Sequence, residues 1–561
     1  MNRRTSTQPT DVQPTRYWDR ETALVAQLAA CVSFISFAYY FQHNGLLLYG
    51  DAVAHINIAR RVFDSRTPGL LQLGTVWLPL PHLLMIPFLL LNSAWQSGIG
   101  GSVPSMVAYV LGAAGIFRLL RSSLSVSSEP DPRARITAWL GAIVYAANPN
   151  LIYLQTTAMT ESLYLALFIW AVVFFSDFVR QSSRKDGPPN AASSSLMKCG
   201  MCLIAADLTR YDGWFLAATM CVAALAIMVR RNAQVPRPGI AKFLLLAAAA
   251  PALWLAYNAL IYRNPLEFAN GPYSARAIEQ KSATPGSPAH PGAADLPVAF
   301  SYFVKSAELN MAQGDAQRLW VALLVLGTGA ILILDRRLWP LLLLWVPLPF
   351  YMLSIAYSGV PIFVPAWWTF SFYNVRYGLQ LLPLFSVSVA VTAYFLLNVA
   401  QNKNAKTIIV SAVLLLLAVD DAFVWRAQPI CFREAWINSR SRIAFETELA
   451  SNLRKLPHES NLLMYLGDHV GALQRAGIPL RRTINEGNHR PWRTPADQEG
   501  LWERALANPS QYVDFVIAMD GDPVALGVQK QGLTSLVVLR TTGQPAATIY
   551  WTHPVASGSA R

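Results

Sequence analysis

The chain has 561 residues, of which 53% are hydrophobic and only 14% are charged, and its formal net charge is +13. A soluble protein carries about 25% charged residues on average, so this composition excludes a water-soluble chain of this length. The basic residues lie between apolar blocks, which is the pattern that sets membrane orientation. We therefore expect no nucleic-acid partner.

The apolar blocks predict a polytopic α-helical membrane protein of about 11 spans, because each block is close to the ~20 residues that cross a bilayer. Residues 1–21 are polar and form a predicted cytoplasmic tail. Segment 76–91 is also apolar, but three prolines interrupt it, and it is ambiguous between a span and a juxtamembrane helix. The predicted spans are 22–41, 103–121, 135–150, 161–180, 197–209, 213–230, 240–261, 319–335, 338–357, 375–399 and 406–425.

The basic loops distinguish these two alternatives. If 76–91 does not cross, the short basic connections all fall on one side, which the positive-inside rule assigns to the cytoplasm. The outer segments are then 42–102, 151–160, 262–318 and everything after about residue 425. The sequence thus predicts a transmembrane domain over 22–425 and a non-cytoplasmic domain over 426–561. The expected location is a bacterial inner or plasma membrane, with the N-terminus in the cytoplasm.

The C-terminal segment has the pattern of a small soluble α/β domain. Residues 434–456 favour a helix, and "NLLMYL", "YVDFVIAM" and "LTSLVVL" favour short strands separated by turns. Polar side chains between these strands either line an acceptor groove or form a solvated loop. The residues of this predicted patch are Asp468, His469, Asn488, His489 and Trp492.

Two acidic residues stand at the predicted outer boundary of the membrane. Asp51 follows the first span closely, and His55 lies four residues later on the same helical face. By position, Asp51 is equally well interpreted as a functional carboxylate or as a helix N-cap. Glu161 begins an apolar helix, where an acid either serves function at a costly depth or interacts favourably with the helix dipole.

Two arginines at outer span ends require partners, because they run against the positive-inside bias. Arg210 belongs to the cluster Arg210-Tyr211-Asp212, and Arg376 is followed by Tyr377. Phosphate suits both, since guanidinium makes bidentate contacts with its oxygens. An acid/base group beside anion-binding arginines is typical of transfer from a phosphate-linked donor. No compact ligand set indicates a metal, so we expect no cofactor, with a divalent ion left open.

The order of these motifs resembles the GT-C superfamily of membrane glycosyltransferases, in the branch of the protein O-mannosyltransferases and aminoarabinose transferases. The resemblance covers roughly residues 20–425, and its motifs are individually short. They are "YGDAVAHINIARRVFDS" on the first outer loop, "VWLPLPHLLMIPF" as a juxtamembrane helix, "NPNLIYLQTTAMTESLYLALF", "LTRYDGWFL" and "NVRYGLQLLPLF".

The resemblance implies an inverting glycosyltransferase that moves a hexosyl or pentosyl group from a polyprenyl-phosphate carrier on the non-cytoplasmic face. Asp51 corresponds to the catalytic carboxylate and Glu161 to the second acidic residue, while Arg210 and Arg376 could hold phosphate. Ala52 stands where protein O-mannosyltransferases have a second acid. The juxtamembrane segment lacks the basic residue of its relatives, a position that His82 or an arginine from 60–66 (Arg60, Arg61) could fill.

Two other functions stay open from the sequence. One is an envelope polysaccharide ligase or polymerase, and the other is a non-enzymatic transporter or sensor. For the favoured function the acceptor is a protein, a lipid or a polysaccharide. We also predict that the C-terminal domain affects acceptor choice more than donor use, so that a chain ending near Val424 keeps donor binding.

Overall fold

The fold is described from a computed structural model that covers residues 18–125, 131–183, 190–231, 237–282, 288–467, 469–488 and 500–552. Within these ranges, its first half contains helices and loops but no strand, as the long apolar blocks require, because a helix satisfies its own backbone hydrogen bonds in lipid. Its helices are α1 (Arg20–Gln42), α2 (Gly50–Arg61), α3 (Leu80–Met85), α4 (Asn92–Ser97), α5 (Ile99–Leu124), α6 (Pro132–Ala147), α7 (Pro149–Leu154), α8 (Glu161–Gln181), α9 (Ala191–Asp207), α10 (Asp212–Arg231) and α11 (Arg237–Tyr262).

The second half contains the remaining membrane helices and the C-terminal sheet. Its helices are α12 (Glu267–Asn270), α13 (Ala275–Ser282), α14 (Leu296–Met311), α15 (Ala316–Ile333), α16 (Pro347–Tyr357), α17 (Leu382–Val399), α18 (Lys403–Ala427), α19 (Ile430–Leu453), α20 (Gly471–Ala476), α21 (Leu501–Ala507) and α22 (Pro523–Val528). Its strands are β1 (Leu462–Met464), β2 (Thr483–Ile484), β3 (Phe515–Met519), β4 (Thr534–Leu539) and β5 (Ala547–Trp551). The longer 3₁₀ segments are Arg336–Trp345, before α16, and Val375–Leu381, before α17.

The described residues include nine helical segments that are long and apolar enough to cross a membrane. Two further predicted spans form the shorter helices α6 and α9, of 16 and 17 residues. These two pack inside the bundle, α6 against α5 and α17, and α9 against α8 and α11. The predicted class, a polytopic helical membrane protein with a small C-terminal sheet, is confirmed.

The proline-rich segment 76–91 forms only short helices. α3 contains Pro81 in its first turn, and a 3₁₀ turn over Ile86–Leu89 contains Pro87 in its first turn. Proline is accommodated there because the first backbone N–H groups of a helix have no intrahelical partner. The prolines therefore stand at the beginnings of two short helices, and no helix of spanning length forms in this segment.

The C-terminal sheet has the strand order β2-β1-β3-β5-β4, in which β2, β1 and β3 are parallel and β5 runs antiparallel to β3 and β4. Phe515, Ile517 and Met519 of β3 join the hydrophobic cluster that extends through the membrane helices. Val516 and Ala518 belong to a smaller cluster on the opposite face. Because successive side chains of a strand alternate between faces, one face of the sheet packs on the rest of the molecule.

The helix α19 connects the two parts of the chain. It follows α18 after a break at Gln428, which has a φ of +66°, and Pro429. Its first turns contact α7, α14 and the 3₁₀ segment before α17, and the Cys431 carbonyl accepts a hydrogen bond from the Tyr49 hydroxyl at 2.9 Å. The beginning of the predicted C-terminal domain is thus packed into the membrane bundle.

Candidate active site

One arginine brings three carboxylates together where the beginnings of α2, α8 and α19 meet the 3₁₀ segment before α17. The Arg376 guanidinium lies 2.5 Å from Asp51, 3.1 Å from Glu161 and 3.0 Å from Glu434, with a different nitrogen directed to each. Its side chain is 7% exposed. Asp51 and Glu161, predicted from separate outer segments, therefore share a single cation.

Asp51 occupies the first turn of α2 and is the most accessible member of this group. The N-cap of α2 is Tyr49, and no side chain caps the helix. The Asp51 carboxylate is instead directed to Arg376 and is 44% exposed, on the wall of a large cavity. The structure therefore disfavours the N-cap interpretation, and Asp51 can reach a molecule in the cavity.

Glu161 is fully buried at the start of α8. Its Oε1 accepts hydrogen bonds from Arg376 at 3.1 Å and from Arg210 at 3.5 Å. Its Oε2 has no hydrogen-bond partner among the described residues. A buried carboxylate requires compensation by charge and hydrogen bonds, and the two arginines provide it.

Arg210 shares Glu161 with Arg376 and, like Arg376, has several polar partners. It donates to the Tyr351 hydroxyl at 2.8 Å and lies 3.3 Å from Asp212, and Tyr351 donates to Asp212 at 3.2 Å. The Tyr377 ring lies between the arginines, with its centroid 5.1 Å from the Arg210 guanidinium and 4.9 Å from that of Arg376. The two arginines thus form ion pairs with four carboxylates. These ion pairs hold the carboxylates in place.

Glu434 was missed by the sequence analysis. It is buried on α19, where its Oε1 accepts from Arg376 at 3.0 Å and its Oε2 accepts from the Val375 backbone N–H at 2.8 Å. The sequence carries one signal, an acid within the mainly apolar run "ICFREAW" directly after the last span. A one-dimensional pattern could not connect it with Arg376, which lies 58 residues earlier.

The two predicted histidines form a buried pair. The His55 Nδ1 lies 2.9 Å from the His82 Nε2, and the Trp77 ring packs on His55. One nitrogen must donate and the other accept, so the contact requires a neutral acceptor ring. Burial, together with the nearby Arg210 and Arg376, lowers the pKa of His55 from 6.5 to about 3. The pair joins α2 to the proline-rich segment in an uncharged state.

We expect this pair to make stability depend on pH. Between pH 6.5 and about 3, the unfolded chain binds a proton at His55 that the folded protein does not, so stability falls as the pH falls, by up to about 1.4 kcal/mol per pH unit. His55→Gln removes this proton and should flatten the decline. The measurement is thermal unfolding of both proteins from pH 7 to pH 4. Parallel curves would contradict the assignment.

Of the other residues predicted to bind substrate, some are packed in the protein interior and others line the cavity. Arg60 is buried and bonded to Asp64, to the Leu89 carbonyl and to Asn92, so its role is packing in place of the predicted substrate contact. Tyr211 donates to the Val76 carbonyl at 2.8 Å, outside the cavity lining. Arg61 does line the cavity and lies 4.0 Å from Glu486.

The cavity has a volume of about 2080 Å³ and extends from the carboxylate group to the C-terminal domain. Arg376 and Tyr377 line it beside Asp51, and His469 and Asn488 of the predicted acceptor patch line it from the C-terminal domain. Asp468, His489 and Trp492 lie outside the described residues. Within the described ranges, no three His, Cys, Asp or Glu side chains are grouped so as to hold a metal ion.

The chain is a polytopic helical membrane protein, and comparison with solved structures shows that it has the GT-C fold. Its structure is similar to that of ArnT, an aminoarabinose transferase from Cupriavidus metallidurans, bound to undecaprenyl phosphate. The TM-score is 0.54 at 13% identity, over 94% of this chain and 98% of that one. The apo form of the same ArnT gives 0.54 at 12% identity, over 94% and 97%.

A second similar structure is the apo oligosaccharyltransferase of Archaeoglobus fulgidus, with a TM-score of 0.45 at 11% identity, over 97% of this chain and 75% of that one. No protein-family model and no curated protein sequence matches the chain. The similarity to ArnT confirms the expected resemblance to the GT-C superfamily at the level of the fold.

Proposed function

We propose that the protein is an inverting glycosyltransferase that moves a hexosyl or pentosyl group from a polyprenyl-phosphate carrier to an acceptor hydroxyl on the non-cytoplasmic face. The observation that carries this proposal is the accessible Asp51 carboxylate, fixed by Arg376 beside buried Glu161 on the wall of a large cavity. The similar ArnT structure holds undecaprenyl phosphate, which supports a donor of that chemistry here.

The proposed reaction uses few groups. Asp51 accepts the proton of the acceptor hydroxyl as its oxygen attacks the anomeric carbon. The bond from that carbon to the phosphate oxygen breaks, and the phosphate leaves with the electron pair. Its charge needs electrostatic stabilisation and no strong acid. Arg376 lines the cavity beside Asp51 and can supply this stabilisation, while Arg210 holds Glu161.

The deciding experiment uses the purified full-length protein with a panel of polyprenyl-phosphate sugars. We expect free polyprenyl phosphate to be released from at least one of them when water or an added hydroxyl compound accepts the sugar, and Asp51→Asn to suppress this release. Asp315→Asn is a matched control, because that carboxylate is 95% exposed and does not line the cavity. Absence of release from every donor in the panel would contradict the proposal.

The proposed orientation gives a separate prediction for a bacterial inner membrane. The cavity and the C-terminal domain should lie outside the cytoplasm, because the short basic connections then lie inside. A reporter that is active only outside the cytoplasm should be active when fused after Arg561 and silent when fused within 181–196. The opposite pattern of activity would invert the orientation and place the cavity in the cytoplasm.

A further inference from the structure

The segment that leads into α2 is held by a residue of the C-terminal domain. Arg442, on α19, donates through its Nη2 to the Leu47 carbonyl at 3.0 Å and to the Leu48 carbonyl at 2.9 Å. A Cβ on Gly50 would lie 3.9 Å from the Arg442 Nε. These three residues closely precede Asp51 in the chain, so Arg442 fixes the backbone that carries the proposed base.

The Arg442 guanidinium is itself held by a buried carboxylate. Its Nη1 donates to both oxygens of Glu446, at 3.0 and 2.9 Å, and the Arg475 Nε donates to the same carboxylate at 3.3 Å. Glu446 is 1% exposed. Because a guanidinium is planar and rigid, a carboxylate that binds one of its nitrogens also sets the direction of the others. Arg442 thus joins α19 firmly to the beginning of α2.

Asp51 is consequently held from two directions. Its carboxylate lies 2.5 Å from Arg376, and its backbone follows the segment that Arg442 binds. Tyr49, the N-cap residue of α2, donates from its hydroxyl to the Cys431 carbonyl on α19 at 2.9 Å. No side chain caps α2, so these contacts with α19 determine where the helix begins.

Loss of the Arg442 hydrogen bonds would allow the beginning of α2 to move. Leu48 is buried, and a buried carbonyl that loses its donor must find another partner, because an unpaired one is costly. A displacement of about 1 Å at a reacting group can lower a rate about 10²-fold. A small shift of the backbone at residues 47–48 is therefore enough to slow a transfer that depends on the position of Asp51.

From these contacts we infer that Arg442 is a positioning residue, which places the Asp51 carboxylate to accept the proton of the acceptor hydroxyl. The inference rests on the proposed function, and it gives the C-terminal domain a part in the reaction through α19. Arg442 does not line the cavity, so it acts through α2 without contact to the donor or the acceptor. Its loss should therefore slow the transfer step and leave donor binding intact.

The test compares kcat with donor binding in the full-length protein, using a polyprenyl-phosphate sugar that the wild type accepts. Arg442→Gln should lower kcat about 10²-fold and leave the donor Kd unchanged. Arg442→Lys keeps a cation beside Glu446 but loses the second nitrogen of the planar group, so it should lose less activity, and it decides the test if Arg442→Gln does not fold. Arg440→Gln is the matched control, because this arginine is exposed on the same helix, over the Trp436 ring.

A double variant distinguishes positioning from a general loss of structure. If Arg442 acts through Asp51, removal of the base already removes what Arg442 contributes, so the two losses are not additive. Arg442→Gln combined with Asp51→Asn should therefore have the same kcat as Asp51→Asn alone. A further loss in the double variant would show that Arg442 supports the fold in general and would overturn the inference, as would a wild-type kcat in folded Arg442→Gln.

Hydrogen exchange tests the inference without any donor. The backbone amides of residues 47–53 should exchange faster in Arg442→Gln than in wild type or Arg440→Gln, because the beginning of α2 loses contacts that hold it. Equal exchange in all three proteins would overturn the inference, whether or not the wild type transfers sugar. Faster exchange in Arg442→Gln, when the wild type uses no donor, would support the positioning of α2 by Arg442 and contradict the transferase proposal.

Discussion

Asp51→Asn should lower sugar transfer by about 10²–10⁴-fold, the usual contribution of a positioned base, while donor binding is retained. Asparagine keeps the size of the side chain and still presents an oxygen to Arg376, which lies 2.5 Å from the Asp51 carboxylate. It cannot take the proton of an acceptor hydroxyl. The measurement compares initial rates of transfer with the equilibrium binding of the polyprenyl-phosphate donor.

Asp51→Glu provides the finer comparison for this prediction. It preserves the charge but moves the carboxylate by about one methylene, and a transfer that depends on close positioning should also slow. Both variants should unfold at nearly the wild-type temperature, because Asp51 is the most exposed of the three carboxylates around Arg376. A near wild-type rate for Asp51→Asn would instead make Glu161 the next candidate base.

The membrane fold was predictable because its signals are local. Each span is a run of apolar residues long enough to cross lipid, and the segment 76–91, with its prolines, forms only a short helix. The strands β1, β3 and β4 were visible as short apolar runs, whereas β2, with two residues, is too short for a pattern. Strand β5 was not identified because its "ATIYW" run is short and only partly apolar.

The site was only partly predictable because its pairs are distant in sequence. Asp51 and Glu161 stand out as acids at the ends of apolar segments, but their common partner Arg376 follows 325 and 215 residues later. Glu434 lies on α19, which the charge pattern assigned to a separate outer domain. A chain that ends near Val424 would lack α19 and Glu434. The structure therefore gives no reason to expect that such a chain keeps donor binding.

Arg376→Ala should cost about 3–5 kcal/mol of stability as well as activity, which is the cost of breaking a buried ion pair and leaving the partner charge uncompensated. Glu161 and Glu434 are at most 2% exposed and both bond to this guanidinium. The initial expectation, that Arg376 chiefly holds donor phosphate, predicts lost donor binding with unchanged stability. Thermal unfolding and donor binding, measured on the same detergent-solubilised protein, distinguish the two roles.

A double variant shows whether the uncompensated carboxylates cause this loss. Glu434→Gln removes one buried charge but can still accept the Val375 N–H, which Glu434 accepts at 2.8 Å. Arg376→Ala combined with Glu434→Gln should therefore unfold at a higher temperature than Arg376→Ala alone, although neither should transfer sugar. Arg318→Ala is the matched control, since its side chain is 88% exposed and its loss should change little. If Arg376→Ala unfolds like wild type and loses only donor binding, the guanidinium binds the donor phosphate. The carboxylates are then held by their remaining contacts, Glu161 by Arg210 and Glu434 by the Val375 backbone.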